Sequence, residues 1–166
     1  MNIESLAHLA EIISSVAVIV SLIYVSVQVR QNTRALKATT YNQITANSVA
    51  IMGPWHVHAE FTEFLARMTD NTDAATPAQK LRFHVMLLTC FRHWDNLYYQ
   101  FRSGALDREM WESYDRSLSL WLANKAWRDW FRDNSGYVSS SLRDLVSKRL
   151  QLAAGSAPSP GEGLPS

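Results

Sequence analysis

The sequence predicts an all-α fold in which one N-terminal transmembrane helix extends into a cytoplasmic helical bundle. Three observations carry that prediction. Residues 12–29 form a charge-free run dominated by Ile, Val, Leu, Ala and Ser. As a helix it measures about 27 Å, close to the ~30 Å hydrocarbon core of a bilayer. Downstream, helix-start and helix-stop residues recur at Gly53-Pro54, Thr76-Pro77, Gly104 and Asp107, and no alternation of period two survives past the apolar run.

The apolar run reads as a helix because, although its β-branched content would suit strands, it is too long without a turn signal to be one strand. Leu6, Ala7, Leu9 and Ala10 lengthen it toward the N-terminus, interrupted only by His8 and Glu11. A cleaved signal peptide fits less well, since the leader carries Glu4 and no Lys or Arg, and no small-x-small site precedes the basic stretch. Charge sets the expected topology. Glu4 and Glu11 precede the span, Arg30, Arg34 and Lys37 follow it, and no acidic residue appears until Glu60. Basic residues stay on the cytoplasmic side. The expectation is a single-pass protein of the inner membrane with its N-terminus outside and its C-terminal domain cytoplasmic. Residues 1–29 are the transmembrane helix and residues 30–52 its cytoplasmic extension. The same three basic residues would suit anionic lipid headgroups, at about 1 kcal/mol per charge.

Steps of three and four through the span pick out Ala7, Ala10, Ser14, Ala17, Ser21, Tyr24 and Gln28, a helical seam that is small and then polar. Small residues let two backbones approach closely in lipid, so the seam predicts a homo-oligomer. Its register continues as Gln31, Ala35, Ala38, Asn42, Thr45 and Val49, which predicts one long helix carrying a packing seam out of the membrane. Glu11 lies beside the seam and His8 one turn before it. A carboxylate deep in lipid costs several kcal/mol, so Glu11 is expected to reach the headgroups, with inter-helix hydrogen bonding or ion handling as alternatives.

A bundle is expected over residues 53–152. Gly53 and Pro54 should break the long helix. A short amphipathic helix follows, with Phe61, Phe64, Leu65 and Met68 on one face. After a polar loop, Thr76, Pro77 and Gln79 spell a capped helix start, and that helix should run to about Ser103 and end at Gly104. Its apolar stripe is read as Leu81, Val85, Leu88, then Cys90 or Phe91, and Leu97 or Tyr98. Asp107 should cap a helix bearing Met110, Trp111, Tyr114, Leu118 and Trp121 or Leu122. "KAWRDWFRDN" and a final helix from near Ser139, with Leu142, Leu145, Val146 and Leu150, complete the bundle. The Gly-, Pro- and Ser-rich stretch of residues 153–166 is expected to be disordered.

Composition excludes several functions. A formal charge of +1 gives no electrostatic case for nucleic acid. One cysteine, Cys90, forbids an intramolecular disulfide and a four-cysteine zinc site; its apolar neighbours predict a buried, inert thiol. No phosphate-binding glycine loop, nucleophile elbow or two-histidine zinc motif is present, so no cofactor and no metal are expected. His84 and His93, nine residues apart on one helix, should face opposite sides; a metal site would need His56 and His58 with a carboxylate brought in by folding. The richest cluster is "FRHWDNLYYQFR", residues 91–102. One helical face there gathers Arg92, Asp95, Asn96, Tyr99 and Arg102 beside Phe91, Trp94 and Tyr98. Arg92 and Asp95 are spaced for an ion pair that Tyr99 could join. These five polar residues are the ligand-binding candidates, the simpler reading being a solvated face over an aromatic core. No catalytic residue is assigned.

The stretch "AEIISSVAVIVSLIYVSVQVRQNTRALKATTYNQ", together with "FRHWDNLYYQFRSGALDREMWESY", resembles a family of small uncharacterised bacterial membrane proteins. In that family a span ending in an Arg-Gln-Asn-Thr-Arg-like stretch precedes a helical domain with an aromatic helix, and the resemblance covers roughly residues 9–150. It implies the anchored all-α arrangement and adds no reaction. The expected function is a membrane-anchored, self-associating helical protein whose cytoplasmic bundle binds a ligand or an unknown protein partner. The alternatives are a membrane-tethered enzyme using the Asp95 region or the histidines, and a small oligomeric channel lined by the seam and Glu11.

Overall fold

The computed structural model describes residues 3–155, apart from the side chains of residues 5, 6, 9, 10 and 153–155. Six α-helices follow in order: α1 (Ile3–Val57), α2 (Ala59–Asp70), α3 (Pro77–Arg102), α4 (Arg108–Leu122), α5 (Lys125–Asn134) and α6 (Ser140–Gly155), with a 3-10 turn at Ser135–Tyr137. No strand occurs among the described residues, and the all-α expectation holds. The chain divides into two compact units, Met1–Gln43 and Ile44–Ser166. Helix α6 reaches three residues into the tail expected to be disordered; the rest of that tail lies outside the described residues.

The first unit is helix alone. From Ile12 to Val29 every large apolar side chain keeps 45–64% of its surface exposed. This is the one helix among the described residues that is long and apolar enough to cross a membrane. Its hydroxyls are satisfied internally: Ser15, Ser21, Ser26 and Thr33 each donate to the carbonyl four residues back at 2.8–2.9 Å. His8 Nδ1 lies 3.9 Å from a Glu11 carboxylate oxygen, one turn away, with both side chains exposed. Of the predicted seam, Ala7, Ser14, Ala17, Ser21 and Tyr24 are exposed and Gln28 is half-buried; the side chain of Ala10 lies outside the described residues.

The second unit closes on aromatic rings. Trp127 of α5 is fully buried and meets Trp121 at 4.7 Å between centroids, Phe91 at 6.0 Å, Trp94 at 6.1 Å and Trp55 at 6.5 Å. Phe91 stacks on Trp130 at 5.2 Å with nearly parallel rings and lies 5.0 Å from Phe131. Arg82 lays its guanidinium over Phe61 and Phe64. Local signals fix the helix ends. Thr76 and Gln79 form the expected capping box, with the Gln79 N–H donating to Thr76 Oγ1 at 3.3 Å and the Thr76 N–H donating to Gln79 Oε1 at 2.9 Å. At the other end of α3, Gly104 adopts φ +78°. The Ala105 N–H returns to Gln100 O and the Gly104 N–H to Phe101 O, the double closure that a left-handed glycine makes available. Asp107 occupies the N-cap position of α4, though its side chain makes no capping bond.

Two expectations are corrected. The long helix does not end at Gly53 and Pro54; α1 includes Pro54 and continues to Val57. An interior proline loses its own donor and crowds the carbonyl four residues back, at about 3 kcal/mol, but the following residue, Trp55, is held by Trp121, Phe61 and Trp127. Packing therefore outweighs the local break. The second correction is the first half of the α3 stripe; Cys90, Phe91 and Leu97 are buried as expected and Leu88 packs against the core. Leu81 and Val85 are 64% and 52% exposed, while Phe83, Leu87, Cys90, Phe91, Trp94 and Leu97 are buried. Both stripes are apolar in sequence, so period alone could not choose between them.

The α3 register gives the first prediction. Leu87→Ala should destabilise by about 2–5 kcal/mol, the usual cost of truncating a core leucine, while Leu81→Ala should stay within about 0.5 kcal/mol. Urea unfolding of both variants checks it, and equal losses would reverse the assigned face.

Candidate functional site

Helix α3 turns Arg92, Asp95, Asn96, Tyr99 and Arg102 outward at steps of three and four. With Tyr98, and with Ser139 and Ser141 from the start of α6, they line an open cleft of about 360 Å³. The five residues singled out in the sequence thus share one wall, and α6 supplies the other.

Inside the cleft the pairing differs from expectation. Among the described residues no Arg92–Asp95 ion pair forms. The Asp95 carboxylate instead accepts the Ser139 backbone N–H at 2.8 Å and the Ser139 hydroxyl. Ser139 Oγ in turn accepts the Leu142 N–H at 3.3 Å, at the first turn of α6. Asp95 therefore anchors the α6 cap from α3, in the position where a helix dipole favours negative charge. An exposed one-turn ion pair is worth about 0.2–0.5 kcal/mol, while a carboxylate held by two directed donors gains more from a charge-assisted bond. The competition goes to Ser139. Arg102 donates to the Ser141 hydroxyl and lies 5.8 Å over the Tyr98 ring. Asn96 accepts a long bond from Gln100 at 3.5 Å. Arg92 and Tyr99 are exposed at the rim. The arrangement is a helix junction faced by two guanidinium groups, and both oxygens of its carboxylate are already engaged.

The histidines separate. His84 Nδ1 accepts the Trp130 indole N–H at 3.0 Å, and His93 Nε2 lies 2.9 Å from Ser48 Oγ. His56 and His58 are exposed where α1 gives way to α2. Among the described residues no group of three or more His, Cys, Asp or Glu gathers to hold a metal ion. Burial pushes the Cys90 thiol up to about 12, so it stays protonated at neutral pH. Sequence reasoning missed the Ser48–His93 pair, which borders a second, more apolar cavity. Its partners are 45 residues apart, a separation at which one sequence carries no pairing signal.

If Asp95 acts through Ser139, the two residues should be coupled. A double-mutant cycle with Asp95→Ala and Ser139→Ala should return an interaction of about 0.5–3 kcal/mol in unfolding free energy. Arg92→Ala should change stability by less than about 0.5 kcal/mol, and strictly additive losses for the pair would remove the anchor role. Set against family models, curated proteins and solved structures, the chain matches none, so fold and geometry carry the functional argument.

Proposed function

We propose that the chain is a single-pass protein of a bacterial inner membrane, anchored by the first half of α1, with its N-terminus outside and its bundle in the cytoplasm. It self-associates through the anchor and offers the bundle to a ligand or partner, in keeping with the family its motifs resemble. One observation carries the reading: the uncovered apolar surface of residues 12–29. Eleven aliphatic side chains stand exposed there, and at about −0.3 to −0.6 kcal/mol each their transfer to the bilayer centre favours insertion by roughly 3–7 kcal/mol. The internally bonded hydroxyls support the same reading, because lipid offers no water to satisfy them. Orientation rests on Arg30, Arg34 and Lys37 following the span while Glu4 and Glu11 precede it.

Alkaline carbonate washing should leave the protein in the membrane pellet; release into the supernatant would end the anchor reading. A thiol placed by Ser5→Cys should react with an impermeant maleimide on intact spheroplasts, and one placed by Ser103→Cys only after lysis, because native Cys90 is buried. The reverse pattern would invert the topology. Self-association has its own test. Leucine at Ser14 or Ala17 should lower the mass of the detergent-solubilised complex, and an unchanged mass would dismiss the seam.

A further inference from the structure

The last turns of α1 meet α3 and α4 around a cavity of about 200 Å³ that is separate from the Asp95 cleft. Trp55, Trp94, Ile51 and Met52 give it apolar walls, and no Lys, Arg, Asp or Glu lines it. An apolar cavity of about 150 Å³ already holds a benzene ring, so the size suits one substituted ring. The cavity's polar groups come from His93 and from the hydroxyls of Ser48, Ser113, Tyr114 and Ser117. Ser48 Oγ lies 2.9 Å from Ile44 O and 2.9 Å from His93 Nε2; with its one hydrogen on the carbonyl, it accepts from the ring. In that tautomer the ring proton sits on Nε2 and Nδ1 keeps a lone pair. Among the described residues Nδ1 has no protein partner, and the one buried polar side-chain atom lacking a partner is Trp127 Nε1. His93 lines the cavity, and its Nδ1 is accessible rather than buried and orphaned. Burial lowers the His93 pKa, which keeps this acceptor neutral at neutral pH.

We propose that the α1–α3–α4 cavity binds a small uncharged aromatic molecule carrying a hydroxyl or N–H donor, of the phenol or indole class, with His93 Nδ1 as its acceptor. Walls without charge reject carboxylates and ammonium ions, whose desolvation would go uncompensated. A ring stacks on Trp55 or Trp94, and its donor completes the hydrogen bonding of His93. The site lies wholly within residues 44–166 and stands whether or not α1 crosses a membrane.

Phenol and toluene are the probes, titrated calorimetrically into the full-length protein in lipid nanodiscs, with empty discs subtracted. Phenol should bind saturably at one site per chain. His93→Phe keeps the shape and removes the acceptor, so the phenol-to-toluene affinity ratio should fall about tenfold, the value of one good hydrogen bond. Ser117→Leu, filling the cavity from α4, should abolish binding of both. An unchanged ratio in His93→Phe, binding that survives Ser117→Leu, or heat no greater than partition into empty discs would each overturn the proposal. Should His93→Phe fail to fold, the wild-type imidazole ¹⁵N spectrum decides: phenol must shift Nδ1, toluene must leave it, and an Nδ1 signal indifferent to phenol overturns the site.

Discussion

The bundle depends on where the Trp127 indole sits. It is the ring at which α1, α3 and α4 all meet α5, and it is buried completely. Its Nε1 has no hydrogen-bond partner, a deficit of about 1–3 kcal/mol for a buried donor. Replacing a buried Trp with Ala typically costs about 3–5 kcal/mol, so the packing term outweighs the orphaned donor. The same packing explains why α1 outlasts Pro54. Trp55 is the next residue, and ending the helix at the proline would withdraw it from the core.

The first unit obeys the opposite constraint. In a bilayer, every polar atom of its apolar run would have to find a partner on its own helix or leave the run. Ser15, Ser21 and Ser26 take the first course by bonding back four residues. That narrows what the seam can do. Ser21 has already given its hydrogen to Ala17 O, so association along Ser21 and Ala17 would rest on close backbone approach and dispersion rather than on donated hydroxyl bonds. The His8–Glu11 contact, with both side chains exposed, has the same local character: it partners Glu11 within one turn and needs no second helix.

Features that depend on a few adjacent residues were legible in the sequence. The Thr76 box, the Gly104 closure, the bounds of α5 and the charge-free run all follow from steric or hydrogen-bonding rules acting within one turn. So did the outward grouping of Arg92, Asp95, Asn96, Tyr99 and Arg102, which is helix geometry alone. Features that depend on distant partners were not. Asp95 was expected to pair with Arg92, three residues away, and pairs with Ser139, 44 residues away. The start of the α3 face was misread because Leu81 and Val85 satisfy the helical period as well as Phe83 and Leu87 do. What separates the two stripes is which one meets Trp127 and Trp130, and that is a property of the assembled bundle.

Directional bonds at the rim complete what the aromatic core leaves open. Apolar burial is non-directional, so the aromatic core constrains helix register less sharply than directed hydrogen bonds do. Among the described residues none that is polar or charged is fully buried, yet polar side chains join nearly every helix pair at the edge. Ser48 reaches His93 between α1 and α3, Trp130 reaches His84 between α5 and α3, and Asp95 reaches Ser139 between α3 and α6. Arg149 grips both oxygens of Asp115 between α6 and α4 at 2.5 and 2.6 Å, and Asn124 donates to Thr69 O at 3.3 Å while capping α5. Each such bond contributes only about 1 kcal/mol net, but each is lost when its helix slides by a residue. The core supplies the attraction and the rim selects one arrangement of it, which also keeps the His93 acceptor and its aromatic walls at a fixed spacing.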